Sequence, residues 1–300
     1  MTNALTDKTV LGQWLAAGYI DKGAFYATDE GTPQGGIISP RLATIALNGL
    51  EIAAKAGTKR SDRVNVIVYA DDFVITGKSK ELLEQQIKPQ VAAFLKERGL
   101  KLSEEKIKIT NIKDGFDFLG FNLRKYNGTL LIKPSRKSVK SFLRDVRETI
   151  KANPTARTEN LIRMLNAKTR GWANYYRLAV ATETFKYVDY QIYLALMQWM
   201  KRKHPRKSAT WRKRKYFRSQ GFRNWVFFSR IKDEEGNFQY LDLFNASSVK
   251  IKRHVKIQAK AHPFDPQFRE YFKQRNRRTI GQGKANGHLS LGPAKGLRKA

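Results

Sequence analysis

Cysteine is absent from this 300-residue chain, and carboxylates are scarce: 26 Asp+Glu stand against 58 Lys+Arg. Without cysteine there is neither a disulfide nor a thiolate zinc site, which weakly favours a reducing compartment. No run of about 18 apolar residues occurs, so no membrane-spanning helix is expected. A basic N-terminal region followed by an apolar one is also missing, so no secretory signal is expected. What the chain does have is a net charge of +32 and 41 % hydrophobic residues, enough for two compact units with real cores.

That charge is unevenly distributed. Residues 1–130 carry 18 basic and 15 acidic side chains, whereas residues 131–300 carry 40 and 11, a net +29. Such an excess is beyond what solubility requires and points to phosphate backbones as the partner.

Two β-rich runs, Val64 to Val68 and Phe73 to Thr76, flank Tyr69-Ala70-Asp71-Asp72, and Gly77 follows. The pattern predicts a hairpin with two carboxylates at its tip, rising from a buried sheet. Taken alone, the pair reads equally as a solvated polar turn or as ligands for a divalent cation.

Upstream, Val10, Leu11, Trp14 and Leu15 mark a helix closed by Gly18, and Gly31 to Gly36 forms a glycine-rich loop. Ser39-Pro40 predicts the start of a helix running to about Gly57. Downstream, Lys80 to Arg98 has helical spacing, with a kink expected at Pro89. Strands are expected near Ile107–Ile109, Phe116–Leu123 and Thr129–Ile132, with Asn127-Gly128 as a turn.

From Ser138 the periodicity is helical, in three stretches with short connections that predict a bundle. Trp172 is expected to be buried within it. Beyond Lys201, basic clusters alternate with aromatic residues, including Trp211, Tyr216 and Trp225. That mixture suits both phosphates and base faces. His204, His254 and His262 lack metal-ligand spacing.

Taken together, Gly31-Thr32-Pro33-Gln34-Gly35-Gly36-Ile37-Ile38-Ser39-Pro40, Tyr69 to Asp72, Leu102 to Lys106 and Phe118-Leu119-Gly120-Phe121 resemble the later blocks of group II intron reverse transcriptases. The stretch around Gly171 to Tyr176 and Trp199 to Pro205 is similar to their maturase domain, the thumb. The resemblance covers roughly residues 10–275. It implies an α+β fold: a partial polymerase palm of antiparallel sheet and helices, a helical thumb/maturase bundle and a basic C-terminal region.

The corresponding division is palm over 1–132, thumb over 133–202, a basic nucleic-acid-binding extension over 203–278 and a disordered tail over 279–300. The resemblance also implies site roles. Asp71 is a direct Mg²⁺ ligand and Asp72 supports the metal pair, which would serve a primer 3′-hydroxyl and a departing pyrophosphate. Gln34, Gly35 and Gly36 pack under the nascent base pair, although an ordinary turn before a helix fits them equally well. Lys106 lies near the departing phosphates or is a plain surface lysine. Tyr69, Leu119 and Gly120 contact substrate, the latter two in the primer-grip hairpin. Lys201, Arg202, Lys203, Arg206, Lys207, Arg212, Lys213, Arg214 and Lys215 bind nucleic acid.

The implied partners are group II intron RNA and a DNA target or primer, in a bacterial cytoplasm or an organellar matrix, with no membrane. Relatives carry an upstream palm block with another metal-binding aspartate, which is not found here. The chain alone is therefore expected not to polymerise DNA, and a separate N-terminal half is a candidate partner. Residues Leu243 to Pro266 resemble the lead-in to an HNH endonuclease, but no such pattern follows and no endonuclease activity is expected. A binding protein without chemistry and a decayed copy of a mobile element remain the alternatives.

Overall fold

A computed structural model describes residues 8–21, 23–27, 39–103, 105, 107–221, 223–233, 235–252, 257–258 and 261–284. The chain is α+β, all of its strand pairs are antiparallel, and it divides into two compact units, residues 1–251 and 252–300. The first begins with helix α1 (Lys8–Ala16) and a short hairpin, β1 (Tyr19–Asp21) with β2 (Ala24–Tyr26).

Next come α2 (Ser39–Ala46) and α3 (Leu50–Lys55), where one helix was expected. The chain breaks at Gly49, whose φ of +94° no helix accommodates. β3 (Asn65–Tyr69) and β4 (Asp72–Thr76) pair only with each other among the described residues. The expected kink at Pro89 takes the form of a π-helical stretch, Leu82–Ile87, before α4 (Lys88–Lys96). Lys88 N–H reaches back to Leu83 O, so the wider register ends just before the residue that has no N–H to donate. Leu50, Ala54, Val64, Ile87, Val91 and Phe94 close a small core, against which Val66, Phe73 and Ile75 pack.

The strand expected at Ile107–Ile109 does not form, and the one expected at Phe116–Leu123 is split. β5 (Phe116–Phe118), β6 (Phe121–Tyr126) and β7 (Thr129–Pro134) make a three-stranded sheet in that order. Leu119 and Gly120 turn the chain between β5 and β6 with φ of +49° and +77°. Asn127 and Gly128 turn it again with φ of +44° and +85°, the geometry of a tight hairpin.

Three long helices follow: α5 (Arg136–Ala152), α6 (Thr158–Tyr176) and α7 (Thr182–Lys203). Ser135 Oγ caps α5 by accepting from Ser138 N–H at 3.1 Å. Phe142, Val146, Ile150, Leu161, Leu165 and Phe185 fill the centre of the bundle. Trp172, expected to be buried, is half-buried and stacks on Phe142 with centroids 4.7 Å apart.

The bundle core continues past residue 202. α8 (Ala209–Tyr216) leads into a sheet of β8 (Phe217–Gln220), β9 (Arg223–Lys232) and β10 (Phe238–Asp242), with β9 central. Tyr216 and Phe227 enter the same core as Trp199 and Met200. Asn166 on α6 bonds both ends of a break after β10, donating to Asp242 O and accepting from Phe244 N–H. Asp189 on α7 accepts from Ala246 and Ser247 N–H at 2.7 and 2.9 Å; burial pushes its carboxyl up against those bonds. In the second unit, α9 spans Arg269–Lys284 and so runs into the stretch where a disordered tail was expected from 279.

The β5–β6 turn is fastened to the bundle. Tyr175 Oη donates to Leu119 O at 2.8 Å and Tyr176 Oη to Gly120 O at 3.1 Å, while Ser135 N–H also reaches Gly120 O. A Cβ on Gly120 would lie 2.6 Å from Tyr176 Oη, whereas one on Gly128 would meet nothing within 4 Å. Both glycines have positive φ, so their difference isolates the steric contact. Gly120→Ala is expected to cost more than about 2 kcal/mol and Gly128→Ala about 1 kcal/mol. Urea denaturation of the two variants checks this, and equal losses would contradict it.

Candidate catalytic hairpin and nucleic-acid interface

The β3–β4 register pairs Val66 with Ile75, Val68 with Phe73, Ile67 with Val74 and Tyr69 with Asp72. Because side chains alternate, Val66, Phe73 and Ile75 face the small core, and Ile67, Tyr69, Val74 and Asp72 face away from it. Ile67 is 54 % and Tyr69 62 % exposed. The hairpin therefore has one covered face rather than rising from a buried sheet. Asp72 is the first residue of β4, and Asp71 lies in the turn beside it.

The turn is strained at Ala70, whose φ of +53° places a Cβ where glycine is favoured. Both carboxylates are exposed, and among the described residues neither accepts a hydrogen bond or forms an ion pair. Two free carboxylates are hard oxygen donors of the kind that hold Mg²⁺ together with water and phosphate oxygens, so this donor set suits that ion. Among the described residues no group of three His, Cys, Asp or Glu lies close enough to share a metal.

Tyr69, Asp71 and Asp72 thus meet at one tip. Leu119 and Gly120 form the β5–β6 turn of a separate sheet, and their carbonyls are taken by Tyr175 and Tyr176. Gln34, Gly35, Gly36 and Lys106 lie outside the described residues.

The second candidate surface is cationic. Thirteen Lys and Arg and no acid occur between Asp189 and Asp233. Lys201, Arg202 and Lys203 form the last turn of α7, where cations suit the negative end of the helix dipole. Arg206 and Lys207 follow in the turn, and Arg212, Lys213, Arg214 and Lys215 lie on α8. Lys201, Arg202, Arg206 and Arg214 have no hydrogen bond, ion pair or ring contact among the described residues.

The others are seated. Lys203 lies over the Trp199 ring, Lys207 and Lys215 over Trp211, and Lys213 4.1 Å above Trp225. Arg212 donates to His204 O and Lys207 O, stapling the turn between the two helices. Burial pushes the Lys203 ammonium down, helped by Lys215. His204 is likewise pushed below its usual range by burial and then by Lys215, Lys203, Arg212 and Lys207.

Of the sheet beneath, the sequence points to a short β-like region at Phe238 to Phe244, where β10 lies, but not to β8 and β9. Arg218 forms a two-point pair with Asp242, its Nε donating at 2.9 Å, and stacks over Tyr240 at 4.4 Å. Arg230 and Lys232 sit over Phe238. The aromatic and β-branched run Trp225 to Phe228 is the signal that could have found β9.

Residues 1–123 match the model of reverse transcriptase (RNA-dependent DNA polymerase), and residues 139–217 match that of the group II intron maturase-specific domain. The class is thus a reverse-transcriptase sequence joined to a maturase-specific bundle. Over 144 aligned positions the chain is 34 % identical to protein YkfC of Escherichia coli (strain K12), covering 38 % of each chain. Over 280 positions it is 24 % identical to the group II intron-encoded protein LtrA of Lactococcus lactis subsp. cremoris, covering 64 % of this chain and 47 % of that protein. The chain belongs to the group II intron reverse transcriptase/maturase family. It spans less than half the length of either relative.

Strain at the carboxylate tip has a direct test. Ala70→Val places a β-branched side chain at positive φ and is expected to cost about 1–2 kcal/mol, while Ala70→Gly costs nothing or stabilises slightly. Thermal unfolding of both variants decides it, and equal stability would show that the turn is not strained.

Proposed function

We propose that this chain is the palm and RNA-binding portion of a group II intron reverse transcriptase/maturase. Intron RNA, and a DNA target or primer, lie against the cations of α7 and α8, and Asp71 and Asp72 supply oxygen ligands for Mg²⁺. The observation that carries this reading is one conjunction. Two carboxylates without described partners stand at a strained hairpin tip, in a chain whose next module carries thirteen cations and no acid between Asp189 and Asp233.

On this reading residues 1–132 serve as palm, 133–202 as thumb and 203–278 as the basic extension. When bound, Mg²⁺ supplies Lewis-acid polarisation of a phosphoryl oxygen. Asp72 offers its carboxylate to the face of the hairpin that the small core leaves open, and Asp71 offers its own at the turn. By family resemblance, Gln34, Gly35 and Gly36 approach the nascent pair, Lys106 approaches the departing phosphates, and Leu119 and Gly120 hold the primer strand. Two carboxylates are too few for a two-metal site. Nucleotide transfer and retrohoming therefore require a further carboxylate from outside the described residues, for which a separate N-terminal half is the candidate.

A second reading, an RNA-binding splicing cofactor without chemistry, draws on the separateness of the two cores: the cationic surface stands on the bundle and does not need the hairpin. The two readings make different demands on Asp71. In primer extension completed by an upstream fingers-and-palm segment, Asp71→Ala is expected to abolish Mg²⁺-dependent synthesis. RNA affinity of the same variant is expected to be unchanged and to fall steeply with salt. Replacing Lys201, Arg202, Arg206 and Arg214 with Ala is expected to reduce the log–log salt slope by about 2–4. Full synthesis by Asp71→Ala would end the catalytic reading, and salt-insensitive binding would end the RNA reading.

A further inference from the structure

Between the start of α6, the end of α7, α8 and β9 lies a cavity of about 370 Å³. Three cations, Arg157, Lys203 and Lys215, line it together with the imidazole of His204. Hydroxyls of Thr158 and Ser229 also line it, and Glu159 is the one acid on the wall. Glu159 forms no ion pair with these cations. A concavity that gathers three cations from separate elements against one acid is destabilised while empty and stabilised by an anion.

The donors are too many for a carboxylate. A guanidinium offers two parallel N–H groups, each ammonium offers three, and the imidazole adds one. Lys203 donates to Ala156 O and lies over the Trp199 ring while still lining the cavity. α6 starts here without a side-chain cap at Arg157, so its first N–H groups add to the positive potential. This is a donor set for a tetrahedral oxyanion with three or four oxygens. Tyr216 Oη lies 2.7 Å from His204 Nε2 and, with the ring of Trp211 5.0 Å away, holds the imidazole in place.

We infer that this cavity is a phosphate-binding pocket that takes one backbone phosphate of the bound nucleic acid, with Arg157, Lys203, His204 and Lys215 as its ligands. The inference rests on the nucleic-acid reading above and adds a seat to it. Arg157 and His204 are not among the cations that the sequence singled out. Burial first, and then the positive charge of Lys215, Lys203, Arg212 and Lys207, hold the His204 imidazole below its ordinary value of 6.5, and Glu159 is the acid on the same wall. An anion in the pocket reverses that field. Binding therefore raises the His204 titration midpoint, and affinity grows as pH falls through the His204 midpoint.

Sulfate, a tetrahedral anion of constant charge in this pH range, probes the pocket directly. With the full chain, NMR titration of the His204 imidazole is expected to show a midpoint raised by roughly 0.5–1 unit in sulfate relative to chloride at equal ionic strength. Arg157→Ala/Lys215→Ala is expected to lose that rise and, in a parallel RNA-binding series, to lose about 0.9 of the salt slope, the share of one phosphate. Circular dichroism establishes that the variant folds. Should it not, His204→Gln in the same RNA series is expected to flatten the rise in affinity between pH 7.5 and 5.5.

A midpoint indifferent to sulfate overturns the pocket. Unchanged slope in the double variant, with salt-sensitive RNA binding intact in the parent, overturns the assigned occupant and leaves the nucleic-acid reading standing. Absence of salt-sensitive RNA binding in the parent overturns both.

Discussion

Repulsion among crowded cations is the constraint around which the C-terminal half of this protein is arranged. Thirteen basic side chains and no acid lie between Asp189 and Asp233. Groups of one sign this close disfavour the folded state unless something opposes them. Here the opposition is aromatic. Trp199, Trp211 and Trp225 each carry at least one lysine over the ring, and each such contact contributes about 0.5–1 kcal/mol. Trp199 is fully buried, so the surface charge rests on the centre of the bundle core. The lysine stems are held without being neutralised, which leaves their charge available to a partner.

A second consequence concerns the link between sheet and bundle. The turn at Leu119-Gly120 has its carbonyls occupied by two adjacent tyrosines of α6, and Val180 N–H donates to Ile132 O of β7 at 2.8 Å. Phe121 fills the space between, 5.2 Å from the Tyr175 ring and 4.9 Å from that of Tyr176. Strands β5 to β7 therefore follow α6 as one body. The β3–β4 hairpin has a core of its own, on α3 and α4. The two candidate surfaces are thus built separately: the carboxylate tip on a thin, half-covered hairpin, the cations on the thick bundle.

How much of this was legible depended on the physical signal. The helices of the bundle were readable because Val139, Phe142, Leu143, Val146 and Ile150 repeat at helical spacing and all turn inward. Asp71 and Asp72 were readable at a hairpin tip because β-branched runs flank them. The break at Gly49 was lost because the apolar spacing continues through it from α2 to α3. The turn at Leu119 was carried by the resemblance, which makes Phe118 to Phe121 a hairpin, and not by residue pattern, because leucine at positive φ carries no turn signature; its contact with Tyr175 holds it there. β8 and β9 were hidden by their own lysines and arginines, which read as a binding cluster rather than a sheet. The aromatic seats and the cavity beside His204 bring together residues 157 to 229, and no local pattern reports such a meeting.

The central claim is that nucleic acid lies on the cations of α7 and α8 rather than on the hairpin alone. Hydrogen–deuterium exchange of the full chain, with and without a structured RNA at low salt, tests this most directly. The account predicts slowed exchange over residues 201–216 and at the start of α6 near 157–160, with the outer face of α5 unchanged. Protection confined to the β3–β4 hairpin, with residues 201–216 exchanging as in the free protein, would contradict it.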